Sequence, residues 1–283
     1  MKISIAAVVV LYNPEAGFIE NILTYIDHVS KLIIIDNSEN PDPDFYTPLL
    51  QYRHVERRLN KENTGIAKAL NDGIRIAISC GYSWVMTMDQ DSFFENDMVL
   101  RYFSDFNELN DKDKLAVAGP VTEGKIKPAG FREITEKNSL ITSGSLINTA
   151  IFKTLNGFDE KLFIDEVDHE YCYRAILAGY SVKQFQHILL SHPLGKEVSV
   201  RTILGKRKTK TFHSPVRLYY MVRNCCYIMS VFKRQFPGEI KLKKKDLLVR
   251  IKNHLLYGHA KFRLARYMLK GYIHYKTKRF GKL

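Results

Sequence analysis

The sequence predicts an α/β fold, a mostly parallel sheet flanked by helices, with a basic helical extension at its C-terminal end. Three observations carry that expectation. Residues Ile3–Tyr12 and Lys31–Asp36 are nearly continuous apolar, β-branched runs, the pattern of strands buried on both faces. Between them Phe18, Ile19, Ile22, Leu23 and Ile26 recur at a helical period. A further apolar run, Trp84–Met88, follows a helical pattern over Ile66–Ser79, so strand and helix alternate as βαβ units do.

Taken in order, Asn13-Pro14 stops the first strand, and residues 15–29 read as a helix. Asn37-Ser38 and a proline-bearing loop close the second strand, and a short third strand is expected around Val55. Asn63-Thr-Gly65 is a turn into the helix that begins at Ile66. Beyond the Trp84 strand, Met98–Leu109 reads as a helix, Leu115–Ala118 as a strand, and 119–138 as a polar loop. Ser139–Ile147 is expected as a strand interrupted by Gly144, where a ligand or backbone approaches closely. Phe152–Leu155 and Glu170–Ala178 read as helices, and Val182–Leu190 as a strand leading into Ser191-His192-Pro193. Arg217–Phe232 is an aromatic-rich helix that breaks at Phe236-Pro-Gly, and 240–280 mixes basic and apolar residues at helical spacing. The domain boundary is expected between residues 212 and 213.

Composition narrows the class of protein. The 283-residue chain is 45% apolar, ample for a buried core. Its net charge of +13 is divided unevenly. Residues 1–200 carry 20 Lys and Arg against 28 Asp and Glu; residues 201–283 carry 23 against 2, Glu239 and Asp246. An acidic body with a basic tail predicts an anionic partner for the tail. Cys80, Cys172, Cys225 and Cys226 lack metal-ligand spacing, and a strand opening almost at Met1 leaves no room for a signal peptide. A reducing, cytoplasmic setting is expected. No apolar run reaches the 18 or more residues that a bilayer span needs.

The chemistry gathers where strands end, because ligands of open α/β sheets bind beyond the carboxyl ends of the strands. Those ends carry Tyr12-Asn13, Asp36-Asn37, Asn63-Gly65 and Asp89-Gln-Asp91. In a strand, residues i and i+2 point to one side, so Asp89 and Asp91 make an oxygen-rich corner suited to Mg²⁺ or Mn²⁺ with substrate phosphates. A G-x-G-x-x-G after the first strand and a G-x-x-x-x-G-K-[ST] are both missing, which removes the usual support for dinucleotide and P-loop readings. Asp165, Glu166, Asp168, His169 and Glu170 crowd one short segment. Clustered carboxylates there could serve as a general base or simply favour a helix N-terminus.

Five motifs in order resemble family 2 inverting glycosyltransferases of the GT-A fold, and specifically their rhamnosyltransferase branch. They are Val9-Val-Leu-Tyr-Asn-Pro14, Ile34-Ile-Asp-Asn-Ser38, Asn63-x-Gly-Ile-Ala-x-Ala-Leu-Asn-x-Gly-Ile74, Met88-Asp-Gln-Asp-Ser92 and Phe163-Ile-Asp-x-Val-Asp-x-Glu-Tyr-Cys-x-Arg174. A sixth, His213-Ser-Pro-x-Arg-x-Tyr-Tyr-x-x-Arg-Asn224, resembles the C-terminal signature of that branch. The resemblance implies a nucleotide-sugar-binding and catalytic domain over 1–212 and an extension over 213–283. Asp36 would bond the pyrimidine base, with Tyr12, Asn13, Asn63 and Gly65 around the nucleotide. Asp89 would contact ribose or metal, Asp91 would ligate the cation, and His192 would complete its shell. Asp168 would be the base, with Asp165 and then Glu170 as alternatives; Val167 stands where the family often has Glu. Ser143 and Gly144 would line the acceptor side, and Arg217 and Arg223 would reach a diphosphate or a phosphorylated acceptor. The family often has Arg where this chain has Leu70, and Lys68 is the candidate replacement.

The activity so implied is inverting transfer of a sugar, L-rhamnose from dTDP-L-rhamnose, to a hydroxyl of a growing, lipid-linked surface glycan of the O-antigen kind. It needs a divalent cation, Mg²⁺ or Mn²⁺. The basic region would hold the enzyme on the cytoplasmic face of the inner membrane, and no nucleic acid is expected as partner. The alternatives are a UDP-, GDP- or other dTDP-sugar donor, a sugar-phosphate nucleotidyltransferase, and a non-catalytic basic adaptor.

Overall fold

The computed structural model describes residues 3–15, 17–124, 131–192, 197–201 and 207–283. The chain forms two compact units. The first comprises residues 1–160 and 167–192, the second 161–166 and 193–283. The sequence set the boundary at 212; the structure sets it at 192 and adds the short segment 161–166 to the second unit.

The first unit is built around β1 (Ile5–Leu11), buried at every position. Its neighbours β2 (Lys31–Asp36) and β4 (Trp84–Asp89) run parallel to it, and β3 (Val55–Leu59) lies parallel beyond β2. The remaining strands are β5 (Phe93–Phe94), β6 (Leu115–Val121), β7 (Ile134–Glu136), β8 (Ser145–Asn148) and β9 (Ser181–Ser191). The order is β3-β2-β1-β4-β8-β6-β9-β5, with β7 also on β9. Strand β8 is antiparallel to β4 and β6, so the sheet is parallel on the β1 side and mixed beyond β4.

Short helices α1 (Phe18–Leu23) and α2 (Thr47–Leu50), then α3 (Ile66–Ser79), α4 (Met98–Asn107), α5 (Thr149–Thr154) and α6 (Val167–Leu177), complete this unit. Helix α3 buries Ala67, Leu70, Ile74 and Ala77. A Cβ on Gly73 would lie 2.4 Å from Val8 Cγ1, so only glycine lets α3 pack this closely on β1.

Three local expectations are corrected. The helix expected over 15–29 is split into α1 and a 3₁₀ turn at Ile26–His28. The strand expected over 139–147 begins only at Ser145, because Gly144 adopts a left-handed φ of 75° that ends an extended run. The 119–138 segment, read as loop, contains the end of β6 and all of β7; its residues 125–130 lie outside the described residues.

The second unit holds an antiparallel ribbon of β10 (Glu197–Arg201) and β11 (Arg207–Thr211). Three helices follow: α7 (Pro215–Phe232), α8 (Pro237–Tyr257) and α9 (Lys261–Lys276). Ser214 caps α7 by accepting from Arg217 N–H, with Pro215 at the first turn, where its missing N–H costs nothing. No described helix is long and apolar enough to cross a membrane.

Candidate active site

Strand β4 ends at Asp89, and a tight turn follows in which Ser92 N–H donates to Asp89 O at 3.3 Å. The turn leads directly into β5, which pairs antiparallel with the end of β9, Phe93 opposite Ser191. That register carries His192 to the turn from 100 residues away. Ser92 Oγ and His192 Nδ1 lie 2.7 Å apart, and His192 Nδ1 is 3.7 Å from Asp91 Oδ1. One ligand atom each from Asp89, Asp91 and His192 falls within a 4.8 Å span. Asp91 is exposed and the other two are half-buried. Two carboxylates and an imidazole, open on one side, fit a divalent cation that also binds phosphate oxygens. The three side chains that the sequence named for a metal are therefore brought together.

The acids are held from behind. Asp89 N–H donates to Ser143 Oγ at 3.2 Å, and Gly144 N–H donates to Thr87 O at 2.8 Å. Ser143 is fully buried. A Cβ on Gly144 would meet Pro120 Cγ at 2.8 Å and Leu190 Cδ2 at 2.9 Å. Ser143 and Gly144 thus support β4 behind Asp89. Tyr25 was not legible as part of this region. Its buried hydroxyl has no hydrogen-bond partner among the described residues. Burial first, and then the charge of Asp89, raise its pKa, so it remains a neutral phenol.

The nucleotide-side residues fall at the ends of β1 and β2. Tyr12 is 44% exposed, with its N–H donating to Gln90 Oε1 at 2.8 Å, so the side chain is open for stacking. Asn13 adopts a left-handed φ of 44° and donates its N–H to Ser38 Oγ at 2.7 Å. Asp36 is fully buried; Oδ1 accepts from Ser38 N–H at 2.8 Å, and Oδ2 accepts from Tyr46 O–H. Its carboxylate therefore organises the turn at the sheet edge instead of standing open to a base. Asn63 Oδ1 accepts from Gly65 N–H at 3.0 Å, closing the turn into α3, and Gly65 O accepts from Asn37 Nδ2 at 3.2 Å. Lys68 pairs with Asp72 at 3.1 Å, one helical turn on, and Leu70 is buried.

Asn71 explains its place in the motif structurally. Its side chain donates to Phe158 O at 3.0 Å and accepts from Phe158 N–H at 2.9 Å, tying α3 to the loop before α6. Arg174 holds the same loop by donating to Gly157 O at 2.6 Å and Leu155 O at 2.5 Å. Glu170 grips Arg174 at 2.6 and 2.8 Å, and its side chain is only 4% exposed. Burial works against the Arg174 charge, but the Glu170 bond and charge outweigh it and raise the pKa. A carboxylate so engaged acts first as the counter-charge of Arg174. Asp168 lies in the first turn of α6, its side chain 20% exposed, with Oδ1 2.8 Å from His169 Nδ1.

In the second unit, Asp165 pairs with Arg217 at 2.7 Å and Glu166 with Lys243 at 2.7 Å. Phe163, Asp165 and Glu166 all carry a left-handed φ of 66°. Such a run of strained non-glycine residues persists only where its surroundings over-determine it. Asn224 Nδ2 provides part of that, donating to Leu162 O at 2.8 Å, Ile164 O at 2.6 Å and Asp165 O at 3.1 Å. Arg223 provides more: it donates to Leu162 O at 2.9 Å and Gly281 O at 2.7 Å. Its guanidinium also lies 5.0 Å from the Tyr220 ring and 5.3 Å from Phe280. Arg223 is fully buried, so it braces the segment before α6 and does not reach a diphosphate. Arg217 keeps 43% side-chain exposure while paired with Asp165.

Comparison with known proteins fits this geometry. Residues 7–146 match the glycosyl transferase family 2 profile. The dTDP-rhamnosyl transferase RfbF of Shigella flexneri is 32% identical over 250 residues, covering 81% of either protein. The chain belongs to glycosyltransferase family 2. Its fold agrees with that placement. GalNAc-T7, solved with UDP, GalNAc and Mn²⁺, superposes with a TM-score of 0.60 at 12% identity, over 98% of this chain. The chain spans 56% of the length of that protein. S. aureus TarS 1–349, solved with UDP-GlcNAc, gives 0.55 at 15% identity, over 96% of this chain and 81% of TarS 1–349. This family 2 enzyme is a glycosyltransferase of the GT-A fold.

Proposed function

We propose that this glycosyltransferase transfers L-rhamnose from dTDP-L-rhamnose, with inversion, to a hydroxyl of a growing lipid-linked surface glycan. The single observation that carries the reading is the convergence of Asp89, Asp91 and His192 beyond β4 in a chain 32% identical to a dTDP-rhamnosyl transferase. Tyr12 stacks against the thymine, and the turns at Asn13, Asp36, Asn63 and Gly65 shape the nucleotide's seat. Asp89, Asp91 and His192 would hold a divalent cation, which would supply Lewis-acid stabilisation of the leaving diphosphate. The acceptor oxygen attacks the anomeric carbon on the face opposite the diphosphate. As that bond forms, the carbon–oxygen bond to dTDP breaks, its electron pair leaving with the diphosphate. The hydroxyl proton passes to the Asp168 carboxylate. Asp165, which pairs with Arg217, is the second candidate for that role. The basic 201–283 region meets the anionic lipid of the cytoplasmic leaflet, where such a glycan carrier resides.

The test is transfer of radiolabelled sugar from dTDP-L-rhamnose, and from UDP- and GDP-sugars, by the wild type and Asp168→Asn. The variant should lose about 10²–10⁴-fold in turnover, with donor binding retained. Undiminished turnover removes Asp168 as base, and preference for another nucleotide sugar removes rhamnose.

A further inference from the structure

The second unit has a feature that glycosyl transfer does not use. Helices α7, α8 and α9 leave between them an open groove of about 440 Å³. Buried Val222 and Met268 form part of its lining, together with Leu247, Leu248, Leu255 and Tyr272. The charged side chain lining it is Lys244, which is exposed. The α8 contributors recur at helical spacing, so one stripe of that helix faces the groove. Leu248 is 55% exposed, Leu255 36% and Tyr272 44%, so this apolar stripe stands open to solvent.

Charge selects the partner. Residues 201–283 carry 23 basic residues against 2 acidic ones. A second copy would bring like charge against like charge. A nucleic acid would satisfy the lysines but has nothing to place against leucine methyl groups. An anionic lipid satisfies both, its hydrocarbon chain against leucine and its phosphate against Lys244.

We infer that this groove is a lipid-chain site: it takes the hydrocarbon of an anionic membrane lipid, with Lys244 at the phosphate. The inference rests on the membrane-surface reading above and names the residues that engage the leaflet. The groove lies wholly within the second unit and shares no residue with the Asp89–Asp91–His192 cluster.

The test uses the full chain and vesicles of phosphatidylcholine with or without phosphatidylglycerol. Wild type should co-sediment with the anionic vesicles. Leu248→Gln/Leu255→Gln, which keeps every charge and alters only exposed or half-exposed positions, should bind at least about tenfold more weakly. Lys244→Gln should weaken binding to anionic vesicles more than the loss of one equivalent lysine, Lys245→Gln. A phosphatidylglycerol bearing a diazirine in its acyl tail should crosslink to peptides of α8 and α9 that line the groove. Equal binding by the double variant, with no crosslink there, overturns the groove while leaving surface attraction intact. A wild-type dimer in sedimentation velocity that the double variant abolishes assigns the groove to a second copy and also overturns it. Donor binding, measured alongside with dTDP and Mn²⁺, tells failure of the groove from failure of the glycosyltransferase reading.

Discussion

Replacing Glu170 with Gln tests whether that acid is structural or chemical. Its carboxylate and the Arg174 guanidinium form two charge-assisted hydrogen bonds, at 2.6 and 2.8 Å, with the acid side chain 4% and the arginine 27% exposed. Bonds of this kind are worth about 1.5–3 kcal/mol each. Glutamine keeps one at reduced strength and leaves a largely buried guanidinium without its counter-charge. Breaking a buried pair costs about 3–5 kcal/mol. We take about 3 kcal/mol, because Arg174 retains its bonds to Leu155 O and Gly157 O. With a urea m-value of about 3 kcal/mol/M, the midpoint should fall by about 1 M. Trp84 is the chain's single tryptophan and lies in β4, so its fluorescence reports unfolding of the first unit. A midpoint moved by less than about 0.2 M, with turnover abolished, would refute the ion-pair account and favour Glu170 as the base.

Acidification should weaken the second unit. Burial first, then Arg250, Arg217 and His254, lower the His213 pKa from 6.5 to about 4. The unfolded chain therefore takes up a proton that the folded one refuses, and stability is lost as pH falls from 6.5 toward 4. Between pH 7 and 5 the loss should be about 2 kcal/mol in urea titrations followed by circular dichroism, and His213→Gln should shrink it. His254 and His274 are also lowered, mainly by burial, and act in the same direction. Gly144→Ala should cost about 1–3 kcal/mol, since the φ of 75° and contacts at 2.8 and 2.9 Å leave no room for a methyl group. An unchanged melting temperature for that variant would contradict the packing described around Asp89.

The sequence spoke most clearly where physics is periodic. The apolar runs of β1, β2 and β4 could be read because strands buried on both faces admit few polar residues. Asp89 and Asp91 could be read because they end such a run. His192 was named by resemblance and Ser92 closes the Met88–Ser92 motif, but the β5–β9 pairing that brings the two together has no local signature. Arg223 and Ser143 have structural partners that their sequence positions do not announce, because buried backbone groups need partners too. Arg223 serves the carbonyls of Leu162 and Gly281, and Ser143 serves the amide of Asp89. Asp36 and Asn71 teach the same point, holding turns that shape the site from below. The interruption at Gly144 was legible, but the residues before it, 139–143, were read as strand because Leu140 and Ile141 continue the apolar pattern of Leu146 and Ile147.

The most direct test of the account is calorimetry of dTDP binding with Mn²⁺ and with EDTA, for wild type and Asp91→Asn. Mn²⁺ should tighten wild-type binding at least about tenfold, and Asp91→Asn should bind equally weakly in both conditions. Wild-type binding that is indifferent to Mn²⁺ would contradict the assignment of Asp89, Asp91 and His192 as the cation site.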